Sequence, residues 1–412
     1  MKKIIFAISL LTLLIACNND DNFTFGNSNF TVTVQNVLQP KEFFSSVPFP
    51  TGLITPGTSE EISFNAGKNH YLSFVTMFVQ SNDLFYAFED TGIALYDASE
   101  NPTTGDITNT IKLWDAGTEV NETPGMGPNQ APRQTAANTG VTENGTVTLV
   151  SDSFTYPTVA ETIKVTLTHN GGTLFTLKVE NVSNTGSLAS SFSPGVLTIH
   201  DINQKPLFTS GVTASEGLED IAEDGMNTVL TDALESVSGY VSTFAPGTYA
   251  YGTSNSIFTV GQASSAALEL LAEDGNPSGY TKIFNTPVGT TSIAGPIFPL
   301  NSYSFSIKAN EEAKLYLATM LVQSNDWFIG IDGLALFNNG IPISGDITSS
   351  AKLFDAGTEA DEYAGAGNKQ PVRQATANSG TPENELVAEE TAPGSHVPSV
   401  ANMIKITITP YN

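Results

Sequence analysis

Two acidic constellations in this chain could do chemistry, and each is a copy of the other. Val79-Gln80-Ser81-Asn82-Asp83, then Asp115-Ala116-Gly117-Thr118-Glu119, returns as Val322-Gln323-Ser324-Asn325-Asp326, then Asp355-Ala356-Gly357-Thr358-Glu359. Asp83 and Asp115 stand 32 residues apart, and Asp326 and Asp355 stand 29 apart. The difference falls between the motifs, where a loop tolerates trimming and a packed strand does not, so the two ends of each motif are expected to converge in space. Carboxylates set around a glycine turn suit a hard cation such as Ca²⁺, which takes about six to eight oxygen ligands. No EF-hand spacing is present. On spacing alone, metal ligation and solvated acidic loops stay equally open.

Other groups point away from catalysis. His70, His169, His200 and His396 do not recur between the copies, and none pairs recognisably with a serine or cysteine. Neither a zinc-protease helix motif, a nucleophile elbow nor a phosphate-cradling glycine loop occurs. Paired carboxylates can hydrolyse glycosides, but tandem duplication serves binding through avidity better than it serves a hydrolase. Asp106 and Asp346, in repeated Gly-Asp-Ile-Thr segments, read as turn formers bonding local amides. Arg133 and Arg373 read either as grips for a ligand carboxylate or as partners of Glu119 or Glu122 and of Glu359 or Glu362. Trp327 and Phe328 read as strand-end core aromatics, with an exposed sugar-stacking platform as the alternative.

The elements that must hold these loops are strands. Phe30 to Val37 and Phe175 to Val182 alternate with period two, as do Ile163 to Thr168 and Ile404 to Thr409. β-Branched residues on such alternation form half-buried antiparallel strands. Each half therefore opens on one kind of strand and closes on another, with the turn-rich His169-Asn170-Gly171-Gly172 as the join. The expected fold is all-β: two tandem antiparallel β-sandwich domains, at 29–171 and 172–412, the second carrying a short-helix insertion. Within that insertion Leu207 to Gly225 repeats 50 residues later as Ile257 to Gly275. Ala214–Glu223 and Ser264–Glu273 are predicted helices, stopped by Gly225 and Gly275, and their Glu-Asp-Gly ends read as solvated termini.

The composition sets the address. Lys2 and Lys3 precede an apolar run from Ile4 to Ala16, and Leu14-Ile15-Ala16-Cys17 ends it, which reads as a lipoprotein signal over residues 1–17 with lipidation at Cys17. Residues 18–28 then form a tether, and the expected location is the bacterial outer membrane, surface-exposed, held by the lipid anchor only. Cys17 is the only cysteine, so no intrachain disulfide is available. A formal charge of −26 disfavours nucleic acid and anionic lipid and favours divalent cations or a cationic partner.

Ser324-Asn325-Asp326-Trp327-Phe328 with the later Asp-Ala-Gly-Thr-Glu strongly resembles the spondin domain, the N-terminal module of F-spondin and mindin. The likeness extends to Ser193–His200, Pro206–Gly211 and Leu218–Gly225, covering most of 172–412, while the first half resembles a shortened relative. It implies a C2-like sandwich that binds calcium. The implied ligands are Asp83, Asp115 and Glu119 in one copy and Asp326, Asp355 and Glu359 in the other, with Glu standing where the animal pattern has Asp. It further implies a non-enzymatic adhesion or recognition module with an extracellular glycan or protein ligand. The competing readings are a glycan-binding or glycan-processing accessory and a structural envelope spacer.

Overall fold

The computed structural model describes residues 26–290 and 293–411. The signal segment, Cys17 and most of the 18–28 tether lie outside them. The chain forms two antiparallel β-sandwiches, as expected, but the strands are shared out differently from the expected division at 171/172.

In one sandwich, Ser59–Asn65, Leu174–Asn181, Ile163–His169 and Gly105–Asp106 make one sheet. Its partner sheet runs Ser45–Pro48, Val196–Asp201, His70–Met77, Leu84–Ala87, Lys112–Asp115 and Thr148–Leu149. Phe64, Leu72, Phe74, Val165, Leu177 and Ile199 fill the space between. The other sandwich puts Ser28–Asn36 in the middle of a sheet, between Ser302–Ala309 and Ile404–Tyr411. Val32 lies opposite Phe305 on one side and Ile408 on the other. Facing it are Gly247–Gly252, Lys314–Met320, Trp327–Ala335 and Lys352–Asp355.

The reason for the redistribution is the turn at 170–173. Asn170-Gly171-Gly172 is too short to separate two domains, and both glycines take positive φ, +99° and +56°. A tight Gly-rich turn between two alternating segments is a hairpin signal. It folds Leu174–Asn181 straight back on Ile163–His169, with His169 opposite Phe175 and Ile163 opposite Asn181. The strand expected to open the second domain thereby completes the first sandwich, and Ser28–Asn36, expected to open the first, completes the second. The inner sandwich, residues 43–237, is nested between the first strand of the outer sandwich and its remainder at 240–411.

The same exchange explains the 50-residue repeat. Glu216–Asp224 and Ala266–Asp274 are helices close to the predicted bounds, N-capped by Ser215 and Ser265 and ended by left-handed Gly225 and Gly275. They are no insertion in one domain: each sandwich receives one. Leu218 and Ile221 pack on Val75, Phe85 and Trp114 of the inner sandwich. Leu268 and Leu271 pack on Tyr316, Phe328 and Phe354 of the outer one. That cover is why His70–Met77 and Lys314–Met320 are buried on both faces and read as near-continuous apolar runs. A third helix, Thr228–Val237, lies beside the first.

Candidate functional site

Each acidic constellation sits at one end of its sandwich, where two neighbouring strands carry the motif's two halves. Leu84 pairs with Asp115, and Trp327 pairs with Asp355. Adjacency in the sheet thus brings the Ser-Asn-Asp turn onto the Asp-Ala-Gly-Thr-Glu loop, as the tolerated trimming predicted.

The turn works as a clamp. Ser81 Oγ accepts from Leu84 N at 3.2 Å, and Ser324 Oγ accepts from Trp327 N at 3.2 Å. Asn82 Oδ1 accepts from Glu122 N at 3.0 Å, and Asn325 Oδ1 accepts from Glu362 N at 3.0 Å. Asp83 Oδ2 accepts from Thr118 N at 2.8 Å and Glu119 N at 3.1 Å, matched by Asp326 Oδ2 with Thr358 N at 2.7 Å and Glu359 N at 3.1 Å. Gly117 and Gly357 turn the loop at φ +70° and +68°, where a Cβ would strike the backbone of Thr146 or Glu385 at under 3 Å.

One oxygen of each clamp is left over. Asp83 Oδ1 and Asp326 Oδ1 are buried and have no hydrogen-bond partner among the described residues. A buried carboxylate oxygen without a donor is costly, and its recurrence at the same position in both copies argues for a missing electropositive partner. In the outer sandwich Asp326, Asp355 and Asp361 each present an oxygen within 4.8 Å of the others. Burial and repulsion from neighbouring carboxylates raise Asp355 to about 7 and Asp361 to about 8, and burial moves Asp326 in the same direction. In the inner sandwich burial and the neighbouring Asp115 push Asp83 up to about 7. A dication in either loop would replace these protons. The donor set, hard carboxylate oxygens beside a tight turn, fits Ca²⁺.

Asp361 was not among the sequence candidates. Its signal was there, an acid six residues beyond Asp355, but the inner copy has Asn121 at that position. Asn121 Nδ2 instead donates to Asp115 Oδ2 at 2.7 Å. Two carboxylates and an amide face the inner site, and three carboxylates face the outer one.

Glu119 and Glu359, expected as third ligands, are turned to another task. Glu119 Oε1 accepts from Gly140 N at 2.6 Å, and Glu359 Oε1 accepts from Gly380 N at 2.7 Å. Both are buried, and Glu359 is not in the three-carboxylate group. Each pins the long loop that follows its motif.

The helix ends also depart from expectation. Glu223 and Glu273 are only 3% and 4% exposed, each with an Oε2 that has no hydrogen-bond partner among the described residues, and burial raises both to about 7. They lie against Thr118 and Glu119, and against Thr358 and Glu359. The next residues dock as well: Asp224 Oδ1 accepts from Gln134 Nε2 at 2.7 Å, and Asp274 Oδ1 from Gln374 Nε2 at 3.1 Å. The cause is the helix packing, which delivers its C-terminus onto the acidic loops rather than into solvent.

Arg133 does not neutralise Glu119 or Glu122. Its guanidinium donates to Gly127 O at 2.7 Å and Gln80 Oε1 at 2.9 Å, and also to Gln130, bracing the loop from within. Asp106 and Asp346 are turn formers, accepting from Thr108 N and Thr348 N at 2.9 Å. Trp327 and Phe328 are core, 4% and 0% exposed, which removes the sugar-stacking platform.

No curated protein matches the chain. Residues 183–385 match the family model Spondin_N. The matched stretch holds the Val196–Asp201 strand, the helices Glu216–Asp224 and Ala266–Asp274, and the outer strands through Lys352–Asp355, together with Asp326, Asp355 and Asp361, while Asp83 and Asp115 fall outside it. Over that stretch, a little under half of the chain, the protein is similar to the spondin N-terminal domains.

Proposed function

We propose that the chain is a non-enzymatic, calcium-stabilised recognition module displayed on a bacterial envelope and tethered through a lipidated Cys17. Spondin N-terminal domains are non-catalytic extracellular modules of the recognition and adhesion type, which supports the general class. The single observation that carries the calcium reading is the unpartnered, buried Asp326 Oδ1 within the group formed with Asp355 and Asp361. Asp326, Asp355 and Asp361 would hold the ion in the outer sandwich, and Asp83 and Asp115 would hold it in the inner one. The ion would supply charge neutralisation that orders the acidic loop end, and a ligand would be met by that ordered face.

Calorimetric titration of the chelator-stripped full chain with CaCl₂ tests this. Saturable binding with dissociation constants of about 10⁻⁴–10⁻³ M is expected. The tighter phase should disappear in Asp326→Asn. Heat no larger than that of dilution, or a tight phase indifferent to Asp326→Asn, would refute the reading.

A further inference from the structure

The sandwiches meet at a cleft of about 320 Å³, and its floor is an excess of hydrogen-bond donors. His70, from the inner sandwich, is only 2% exposed. Its Nδ1 faces Gly67 N–H at 3.2 Å, and its Nε2 faces Arg373 Nη2 of the outer sandwich at 3.0 Å. Arg373 can only donate, as can a backbone N–H. A neutral imidazole carries one N–H and one acceptor nitrogen, so it can accept from one of these neighbours and must point its own proton at the other. Protonating the ring makes matters worse, because both nitrogens then donate. Burial and the Arg373 charge hold the imidazole well below its usual range, so it stays neutral. A donor is therefore left facing a donor in a buried place.

The guanidinium is short of acceptors too. Arg373 Nη1 donates to Gln323 Oε1 at 3.1 Å, and no carboxylate lies within 4.0 Å of Arg373 among the described residues. Its counterpart Arg133 makes the equivalent bond to Gln80 Oε1 but spends its other donors on Gly127 O and Gln130 of its own loop, so the open Nη2 of Arg373 is not a property of the motif. Lys41 also lines the cleft, with its Nζ bonded to Ser236 O at 2.8 Å and no carboxylate. Lys68 lines it as well but is paired with Glu100. The acids at the cleft, Glu42 and Asp201, are both exposed on its rim. Asp201 is 70% exposed, with Oδ1 4.0 Å from His70 Nε2. Phe44 provides an apolar wall, its ring 4.7 Å from the His70 ring.

We propose that this cleft binds a small organic monoanion through a carboxylate oxygen set on the cleft side of the His70–Arg373 pair, within hydrogen-bond reach of both His70 Nε2–H and Arg373 Nη2–H. An oxygen there accepts from both groups, which resolves the donor conflict and gives Arg373 its missing counter-charge. A single negative charge is favoured over a phosphate dianion because Glu42 and Asp201 offset much of the cationic charge around the cleft. The volume suits a ligand of monosaccharide size, and clefts between folded units are common binding sites. None of the acids proposed to hold calcium lines this cleft.

The test titrates the full chain with D-glucuronate, with D-glucose as the uncharged control and phosphate as the dianion, following His70 ring resonances and binding heat. Glucuronate is expected to saturate in the range of about 1–10 mM and to shift the His70 signals. Arg373→Gln should weaken it by about tenfold or more. Because Arg373 also braces a loop, Asp201→Asn provides a second arm at an exposed rim position. Removing that competing carboxylate should tighten glucuronate several-fold with the unfolding midpoint unchanged. The proposal is overturned if glucose binds as well as glucuronate, if phosphate binds better, if Arg373→Gln folds and binds normally, or if Asp201→Asn leaves affinity unchanged.

Discussion

Chelator-stripped protein should lose stability as the pH rises from about 5 to 8, opposite in sign to the usual behaviour of a paired carboxylate. Asp355 moves from 3.8 to about 7 and Asp361 to about 8 on folding, through burial and repulsion from neighbouring carboxylates. The folded state then holds more protons than the unfolded chain between those values. Stability contributed by the protonated form is complete below the unfolded value and is lost as the pH climbs through 7 to 8. A rise from 3.8 to about 7 corresponds to about 4 kcal/mol unscreened. Asp355 is only half-buried, so solvent screening reduces this to about 2 kcal/mol. For a unit the size of the outer sandwich, 2 kcal/mol moves the midpoint by about 4–8 °C. Calcium at 5 mM, with a dissociation constant of about 10⁻⁴–10⁻³ M, restores about 1–2 kcal/mol by mass action and flattens the profile. The assay is thermal unfolding by circular dichroism at pH 5, 6, 7 and 8, with EDTA or CaCl₂. The chain's overall acidity also weakens it as the pH rises, so the discriminating sample is Asp361→Asn, in which the EDTA slope should become shallower. An EDTA midpoint that climbs between pH 5 and 8, or a slope untouched by Asp361→Asn, would refute the assignment.

Two further perturbations probe the same loops. Asn121→Asp gives the inner site the third carboxylate of the outer one, and its calcium affinity should rise about tenfold by titration, while stability in EDTA falls. Glu273→Gln removes a buried carboxylate whose Oε2 has no partner, so in EDTA at pH 8 it should raise stability by about 1 kcal/mol in urea unfolding. A fall in calcium affinity in that variant would instead make Glu273 a ligand.

Strand identity was legible in the sequence, and strand partnership was not. Period-two alternation located Ser28–Asn36, Ile163–His169, Leu174–Asn181 and Ile404–Tyr411, because half-burial leaves that pattern in any sheet. Alternation carries no information about which neighbour a strand chooses. The two opening strands, Phe30-Thr31-Val32-Thr33-Val34 and Phe175-Thr176-Leu177-Lys178-Val179, are near copies and would fit either sheet. The decision lay in Asn170-Gly171-Gly172, a local signal read as a linker although its geometry is that of a hairpin. The site shows the same division. Repetition picked out Asp83, Asp115, Asp326 and Asp355 as candidates, but it hid Asp361, whose counterpart is Asn121 and which lies beside Asp326 and Asp355. It also promoted Glu119 and Glu359, which repeat because both pin a following loop.

The nested topology gives the outer acidic loop a second consequence. From Asp355 the chain passes through Asp361 and within a few residues reaches the face that meets the inner sandwich. Asn368 Oδ1 accepts from Lys68 N at 2.7 Å, and Asn368 Nδ2 donates to Tyr96 Oη at 3.0 Å. Gly67 lies so close to Ala366 O that a Cβ would sit at 2.0 Å from it, a contact only glycine permits. Tyr363 stacks on His396 with ring centres 4.1 Å apart and meets Phe44 of the inner sandwich edge-on. Arg373 then ends the run against His70. The inner copy of the loop, around Asn121 to Arg133, closes on its own sandwich through Gln80 and Leu188. A charge that draws Asp361 toward Asp326 and Asp355 therefore acts at one end of a segment whose other end holds the two sandwiches together. Its inner equivalent acts on one sandwich alone. Duplication supplied two similar loops, and nesting the inner sandwich within the outer placed one of them at the joint.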